Sequence, residues 1–76
     1  MTSIEVFWRP GCPFCIKLRA TLALRNVPAQ WRNIWEDDEA CQIVRDANGG
    51  NETVPTVRIG ETVLTNPSWK QIREEL

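Results

Sequence analysis

Seventy-six residues with a formal net charge of −1 and 25% charged side chains of both signs predict one domain, residues 1–76, with no room for a second module. Mixed charge leaves no basic stripe for nucleic acid, no stretch approaches a membrane span, and Met1 to Pro10 lacks the basic-then-apolar pattern of a signal. There is no histidine, which excludes imidazole acid–base chemistry, Cys/His nucleophile pairs and His-based metal sites.

A chain this short buries only about 60 to 65% of its extended surface, and four Trp with two Phe supply large buried areas in compensation. Three cysteines cannot all pair within the chain. A reducing, cytoplasmic setting is the default, and there a CxxC is catalytic or metal-binding rather than a structural staple.

In chain order, Ile4 to Trp8 reads as a buried strand, β1, which gives way to the run Gly11, Cys12, Pro13, Phe14, Cys15. A helix, α1, is expected from about Pro13 to Asn26, with Ile16, Leu18, Ala20, Leu22, Ala23 and Leu24 among its apolar positions. Pro28 marks the exit, and Gln30 to Ile34 forms a second strand, β2. The next helix, α2, begins near Asp37 or Asp38 and carries Ala40, Ile43, Val44 and Ala47 at the spacing of one buried stripe. The acidic run Glu36 to Glu39 suits the positive end of that helix and solvent, and Asn48, Gly49 and Gly50 stop it. Thr56 to Ile59 (β3) and Thr62 to Leu64 (β4) flank Gly60 and Glu61, a glycine-first pair that suits a type II′ hairpin. Asn66 is expected to cap a last helix, α3, with Pro67 at its first position and its end at Leu76.

The order β1-α1-β2-α2-β3-β4-α3 implies an α/β fold. A right-handed crossover makes β1 and β2 parallel, and the β3/β4 hairpin extends the sheet antiparallel. With α1 and α3 on one face and α2 on the other, the expectation is a thioredoxin-like, four-stranded mixed sheet with helices on both faces. The CxxC then lies at the carboxyl end of β1, where open α/β sheets place their sites.

Helix N-termini present unpaired N–H groups and the positive end of the macrodipole, so a cysteine there is favoured as the thiolate that attacks disulfides. Cys12 is expected in that place, with Pro13 at the first helical position. Cys15, one turn later on the same face, is expected to be the more enclosed, and it can attack a mixed disulfide formed at Cys12. The rival reading is a structural zinc, which needs four ligands; beyond Cys41 only carboxylates remain to supply them. Cys41 interrupts the α2 stripe and reads as a bystander. Packing is expected for all four tryptophans, with Trp8 and Trp69 near enough to line a substrate groove.

The chain resembles the glutaredoxin family along essentially its whole length, through the CPFC segment (Cys12 to Cys15), the TVP triplet (Thr53, Val54, Pro55) and the preceding NGG run (Asn48 to Gly50). The resemblance implies a cis bond at Val54-Pro55, beside the nucleophilic cysteine. The backbone before that bond would pair with a substrate's cysteinyl moiety as an added strand. Arg9 matches a basic residue three positions before the first cysteine, implying electrostatic hold on the Cys12 thiolate or a substrate carboxylate. Substrate contacts are accordingly expected at Arg9, Pro13, Phe14, Thr53, Val54, Pro55, Asn66 and Ser68.

One departure follows β4. Glutathione-binding members carry two glycines there, then Ser or Thr and an acid, forming a nest for the tripeptide's γ-glutamyl end. This chain has Thr65, Asn66, Pro67, Ser68, Trp69, which removes a backbone donor and offers neutral groups suited to hydroxyls. The NGG, TVPTV and TNPS segments together resemble the mycoredoxin branch, whose members reduce mixed disulfides between proteins and mycothiol, a cysteinyl sugar–inositol thiol.

The function implied is a thiol–disulfide oxidoreductase acting on S-thiolated proteins, with no bound cofactor. Mycothiol is favoured over glutathione as co-substrate, and the protein is expected to be a monomer with no nucleic-acid or membrane partner. One alternative is a redoxin reduced by thioredoxin reductase that passes electrons to ribonucleotide reductase. Another is an iron–sulfur carrier in which two subunits each contribute Cys12.

Overall fold

Alternation along β1 (Ile4–Trp8) decides how the layers are built. Ile4 and Val6 turn to one face of the sheet and Phe7 to the other. The computed structural model describes residues 4–76, so residues 1–3 of the N-terminal segment considered above lie outside it.

β2 (Gln30–Asn33) runs parallel to β1, with Trp8 opposite Asn33, after the crossover through α1 (Pro13–Leu24). β3 (Thr56–Ile59) lies antiparallel on the other side of β1, with Phe7 opposite Thr56, and β4 (Thr62–Thr65) pairs with β3, Thr56 opposite Thr65. The sheet order is β2-β1-β3-β4. These registers bring the ends of β1, β2 and β4 and the start of β3 to one edge.

Ile4, Val6, Val57 and Ile59 pack against Leu18 and Leu22 of α1 and Ile72 of α3 (Trp69–Glu74). On the opposite face Phe7 and Ile34 pack against Ala40 and Val44 of α2 (Asp38–Ala47). This is the thioredoxin-like arrangement expected from the sequence. Gly60 turns the hairpin at φ +60, with Glu61 outside the left-handed region, as a type II′ turn requires.

Glu5 shares the face of Phe7, beyond the cover of α2, and there it accepts from Arg58 at 2.6 Å and Arg32 at 3.0 Å. Burial pushes its carboxyl up, but the hydrogen bonds and charges of Arg58 and Arg32 outweigh that, and the net displacement is downward. Arg32 also pairs with Asp37 at 2.9 Å. Asp37 in turn caps α2 by accepting from the Ala40 N–H at 3.0 Å.

Four boundaries differ from expectation. α1 stops at Leu24 rather than near Asn26, because Asn26 turns left-handed at φ 54 and closes a Schellman motif. Its N–H donates to Ala23 O and that of Val27 to Leu22 O. β2 ends at Asn33, whose side chain accepts from the Trp35 N–H at 2.9 Å and turns the chain. β4 reaches Thr65, which pairs with Thr56. α3 is capped by Ser68, not Asn66, and spans only Trp69–Glu74. Ser68 and Gln71 form a reciprocal capping box, while Asn66 stands outside at φ 46 with its N–H on Pro55 O at 2.7 Å.

Burial is narrower than the apolar pattern implied. α1 buries only Cys15, Leu18 and Leu22, and leaves Ile16 67% and Leu24 85% exposed. In α2 Ala47 is exposed. Trp31 and Trp69 pack partly against the core, under Arg19 and Arg25 respectively. Trp35 does not pack inward: it stands 62% exposed, because Ile34 takes the inward position beside it.

Candidate active site

Cys12 occupies the N-cap of α1 with extended backbone (φ −93, ψ 109), after Gly11 in the left-handed region and before Pro13 at the first helical position. That geometry turns its sulfur toward the open end of the helix. The Cys15 N–H donates to Cys12 Sγ at 3.3 Å, and the Cys12 thiol reaches Val54 O at 3.8 Å. A helix N-terminus thus aims one backbone donor at the sulfur on which negative charge would rest.

Cys15 lies one turn on. The two cysteines are equally enclosed, 4% exposed each, so the expected asymmetry of burial is absent. Cys12 is covered by its own helix end and by the Val54 loop. The two sulfurs differ instead in their surroundings. Burial first, and the neighbouring Cys12 sulfur second, push the Cys15 thiol up to about 12, against the opposing pull of the Arg9 N–H. Cys15 is therefore a thiol throughout the neutral range.

Val54-Pro55 is cis, with Pro55 buried and Val54 half-buried against the α2 side. Three polar side chains fix this loop. Asn48, at the end of α2, donates to Val44 O at 2.8 Å and to Thr56 Oγ1 at 3.3 Å, and accepts from Thr65 Oγ1 at 2.7 Å. Thr56, fully buried, passes the chain on by donating to Thr53 O at 2.7 Å. The end of α2, the end of β4 and the TVP loop are thereby tied into one network. From the sequence Asn48 is a helix stop and part of the NGG run, with no bonding role. The missed signals are a polar Thr56 at the start of a buried strand and a Thr65 in place of a small residue.

Arg9 acts on Cys15 through its backbone N–H and, more weakly, its charge, while its guanidinium lies over the Trp35 ring, 5.9 Å from the centroid. Phe14 stands 58% exposed beside the cysteines, and Pro13 and Thr53 are also at the surface. At the β4–α3 turn the main-chain donors are engaged. Asn66 N–H is on Pro55 O, Pro67 has none, and the Ser68 N–H and hydroxyl are both held by Gln71. Trp8 ends β1 half-buried, with Nε1 enclosed and without a hydrogen-bond partner among the described residues.

Cys41 donates to Glu52 Oε1 at 3.3 Å, and desolvation together with that carboxylate pushes its thiol upward. No three His, Cys, Asp or Glu side chains converge as a metal-binding group among the described residues, nor is any described helix long and apolar enough to cross a membrane.

The chain and its fold have parallels among known proteins. The chain is similar to a Mycobacterium tuberculosis protein named as a glutaredoxin, 29% identical over 75 residues that cover 97% of this chain and 89% of that protein. It is similar to mycoredoxin 1 of Corynebacterium glutamicum, 32% identical over 71 residues that cover 88% and 84% of the two chains. The fold superposes on the crystal structure of a thioredoxin-like protein with a TM-score of 0.82 at 24% identity, covering 97% of this chain and 100% of that one. The glutaredoxin family model matches residues 4–64, from β1 into β4 and across both cysteines. The chain therefore belongs to the glutaredoxin family of thiol–disulfide oxidoreductases.

Proposed function

We propose that this protein reduces mixed disulfides between proteins and a low-molecular-weight thiol in the reducing cytoplasm, with mycothiol as that thiol. The observation that carries the reading is the placement of Cys12 Sγ between the Cys15 N–H at 3.3 Å and Val54 O at 3.8 Å. The first contact stabilises an anionic sulfur. The second marks where a substrate's cysteinyl backbone would dock, displacing the weak thiol–carbonyl contact as it adds to the Val54 edge.

The Cys12 thiolate attacks the small-thiol sulfur of the mixed disulfide. A new S–S bond forms to Cys12, the old one breaks, and the target protein leaves as thiolate and takes up a proton. A second small thiol, as thiolate, attacks the sulfur attached to Cys12. The products are the free Cys12 thiolate and the symmetrical small-thiol disulfide. Cys15 offers a side route: once deprotonated it attacks Cys12 Sγ, expels the small thiol and leaves a Cys12–Cys15 disulfide. The proton it must first lose is held tightly, which favours the route through Cys12 alone.

Mycothiol is supported by the likeness to mycoredoxin 1 and by a β4–α3 turn in which the Asn66 and Ser68 N–H groups are spent internally and Pro67 has none. Such a turn is poorly equipped for the charged γ-glutamyl end of glutathione. The test measures deglutathionylation and demycothiolation of one model protein. Cys12→Ser should abolish turnover, whereas Cys15→Ser should retain it and favour mycothiol. Loss of activity in both variants rejects the monothiol route, and a preference for glutathione rejects mycothiol.

A further inference from the structure

Trp35 is a large aromatic that the fold leaves in solvent, 62% exposed, and it is not a loose loop residue. Its own N–H is held by Asn33 Oδ1 at 2.9 Å, the preceding Ile34 is 3% exposed and bonded through its N–H to Trp8 O at 2.9 Å, and Arg9 lies over the ring. A rigid indole is thus presented at the same sheet edge as Cys12.

Lateral order along that edge follows the sheet. The β2–α2 turn with Trp35 lies at one side, then Arg9 and Cys12 after β1, then Pro55 before β3, and last the β4–α3 turn with Asn66 and Ser68. A cysteinyl group docked beside Val54 has two ends to accommodate. Toward β4 the main-chain N–H groups of Asn66 and Ser68 are already engaged and Pro67 is buried, which leaves the exposed Asn66 amide and Ser68 hydroxyl, so a compact polar group is well served there. Toward β2, about 10 Å away at two strand spacings of ~4.8 Å, stand the Arg9 guanidinium and the exposed indole.

The geometry points to Trp35, with Arg9 over it, as the subsite for the sugar of the small thiol, a conclusion that rests on the mycothiol reading above. A pyranose ring offers an apolar C–H face and a rim of hydroxyls. The indole supplies a flat apolar surface for the first, and a guanidinium supplies donors alone, in a fixed fork, for the oxygens of the second. Glutathione carries a glycine carboxylate at the corresponding end, which would use Arg9 and leave the indole idle. Trp35 therefore acts as a specificity-determining residue.

The test compares peptide mixed disulfides carrying mycothiol, glutathione or N-acetylcysteinamide, which lacks the sugar, with wild type, Trp35→Ala and Trp35→Phe. Trp35→Ala should lower the ratio of kcat/KM for mycothiol to that for N-acetylcysteinamide by about tenfold, through KM, and Trp35→Phe should restore part of it. An equal loss on all three substrates would assign Trp35 a structural role and overturn the subsite. An unchanged mycothiol preference in Trp35→Ala would overturn it as well, leaving the mycothiol reading intact. Absence of that preference in wild type would overturn both.

Discussion

Raising the pH should switch on ring closure between the two cysteines. The Cys15 thiol is pushed up to about 12 from an ordinary 9.0; burial, the largest cause, persists when Cys12 carries a mixed disulfide, whereas the contributions of the Cys12 sulfur fall away, so about 12 is the upper limit there. At pH 7 a thiol titrating at 9.0 is roughly 1 part in 100 ionised, and one titrating at about 12 roughly 1 part in 100,000. The thousandfold deficit is partly offset, because nucleophilicity rises with pKa at a slope of about 0.4 to 0.5 and returns a factor of about 15 to 30. Attack by Cys15 at neutral pH should therefore be slower than attack by an ordinary thiol in the same place, by up to about 30 to 60 times. Only the anion attacks, so the sign is fixed: closure accelerates as pH rises. In a Cys41→Ser background, Cys12 is loaded with a chromogenic aromatic thiol and its release is followed by absorbance with no other thiol present. The logarithm of the rate should climb by about one per pH unit from pH 7 to 10. A plateau below about pH 9 would refute the assignment of Cys15 as a tightly protonated thiol.

Two further outcomes are expected. Glu5→Gln should cost about 1 to 3 kcal/mol in urea unfolding at pH 7, since Arg32 and Arg58 lose a charged partner. The folded Glu5 carboxyl lies below its ordinary 4.5, so its contribution is present above that value and lost as pH falls through the folded one. The wild-type advantage should accordingly vanish in acid, and an advantage that persists at pH 2 would contradict the pairing. Asn48→Ala should destabilise by about 1 to 3 kcal/mol by taking the donor from the buried Thr56 Oγ1, and, by also releasing Thr65, should raise KM for the mixed disulfide more than it lowers kcat. Thr65→Val should reproduce the KM effect and Thr65→Ser should not; equal behaviour of the two would detach the network from substrate docking.

Much of the site was legible because its chemistry is local. A cysteine before Pro13 that caps a helix, a glycine-first hairpin at Gly60 and the left-handed glycines after α2 each follow from backbone demands over four or five residues. The Ser68–Gln71 capping box is just as local, but Asn66 directly before Pro67 is an equally suitable cap by sequence. What removed Asn66 from that role was a partner eleven residues away in sequence, Pro55 O.

Residue type and spacing by themselves determined the element order and the position of Cys12 at a helix start, and the sequence carries the motifs through which the chain resembles its family. Tertiary structure alone decided that Cys12 and Cys15 are equally enclosed, that Asn48 binds three segments together and that Trp35 faces outward under Arg9. The division has a physical cause. Turn and cap preferences are short-range and written in adjacent residues, whereas burial and side-chain hydrogen bonding depend on which strands become neighbours, and that is settled only when the sheet closes in the order β2-β1-β3-β4.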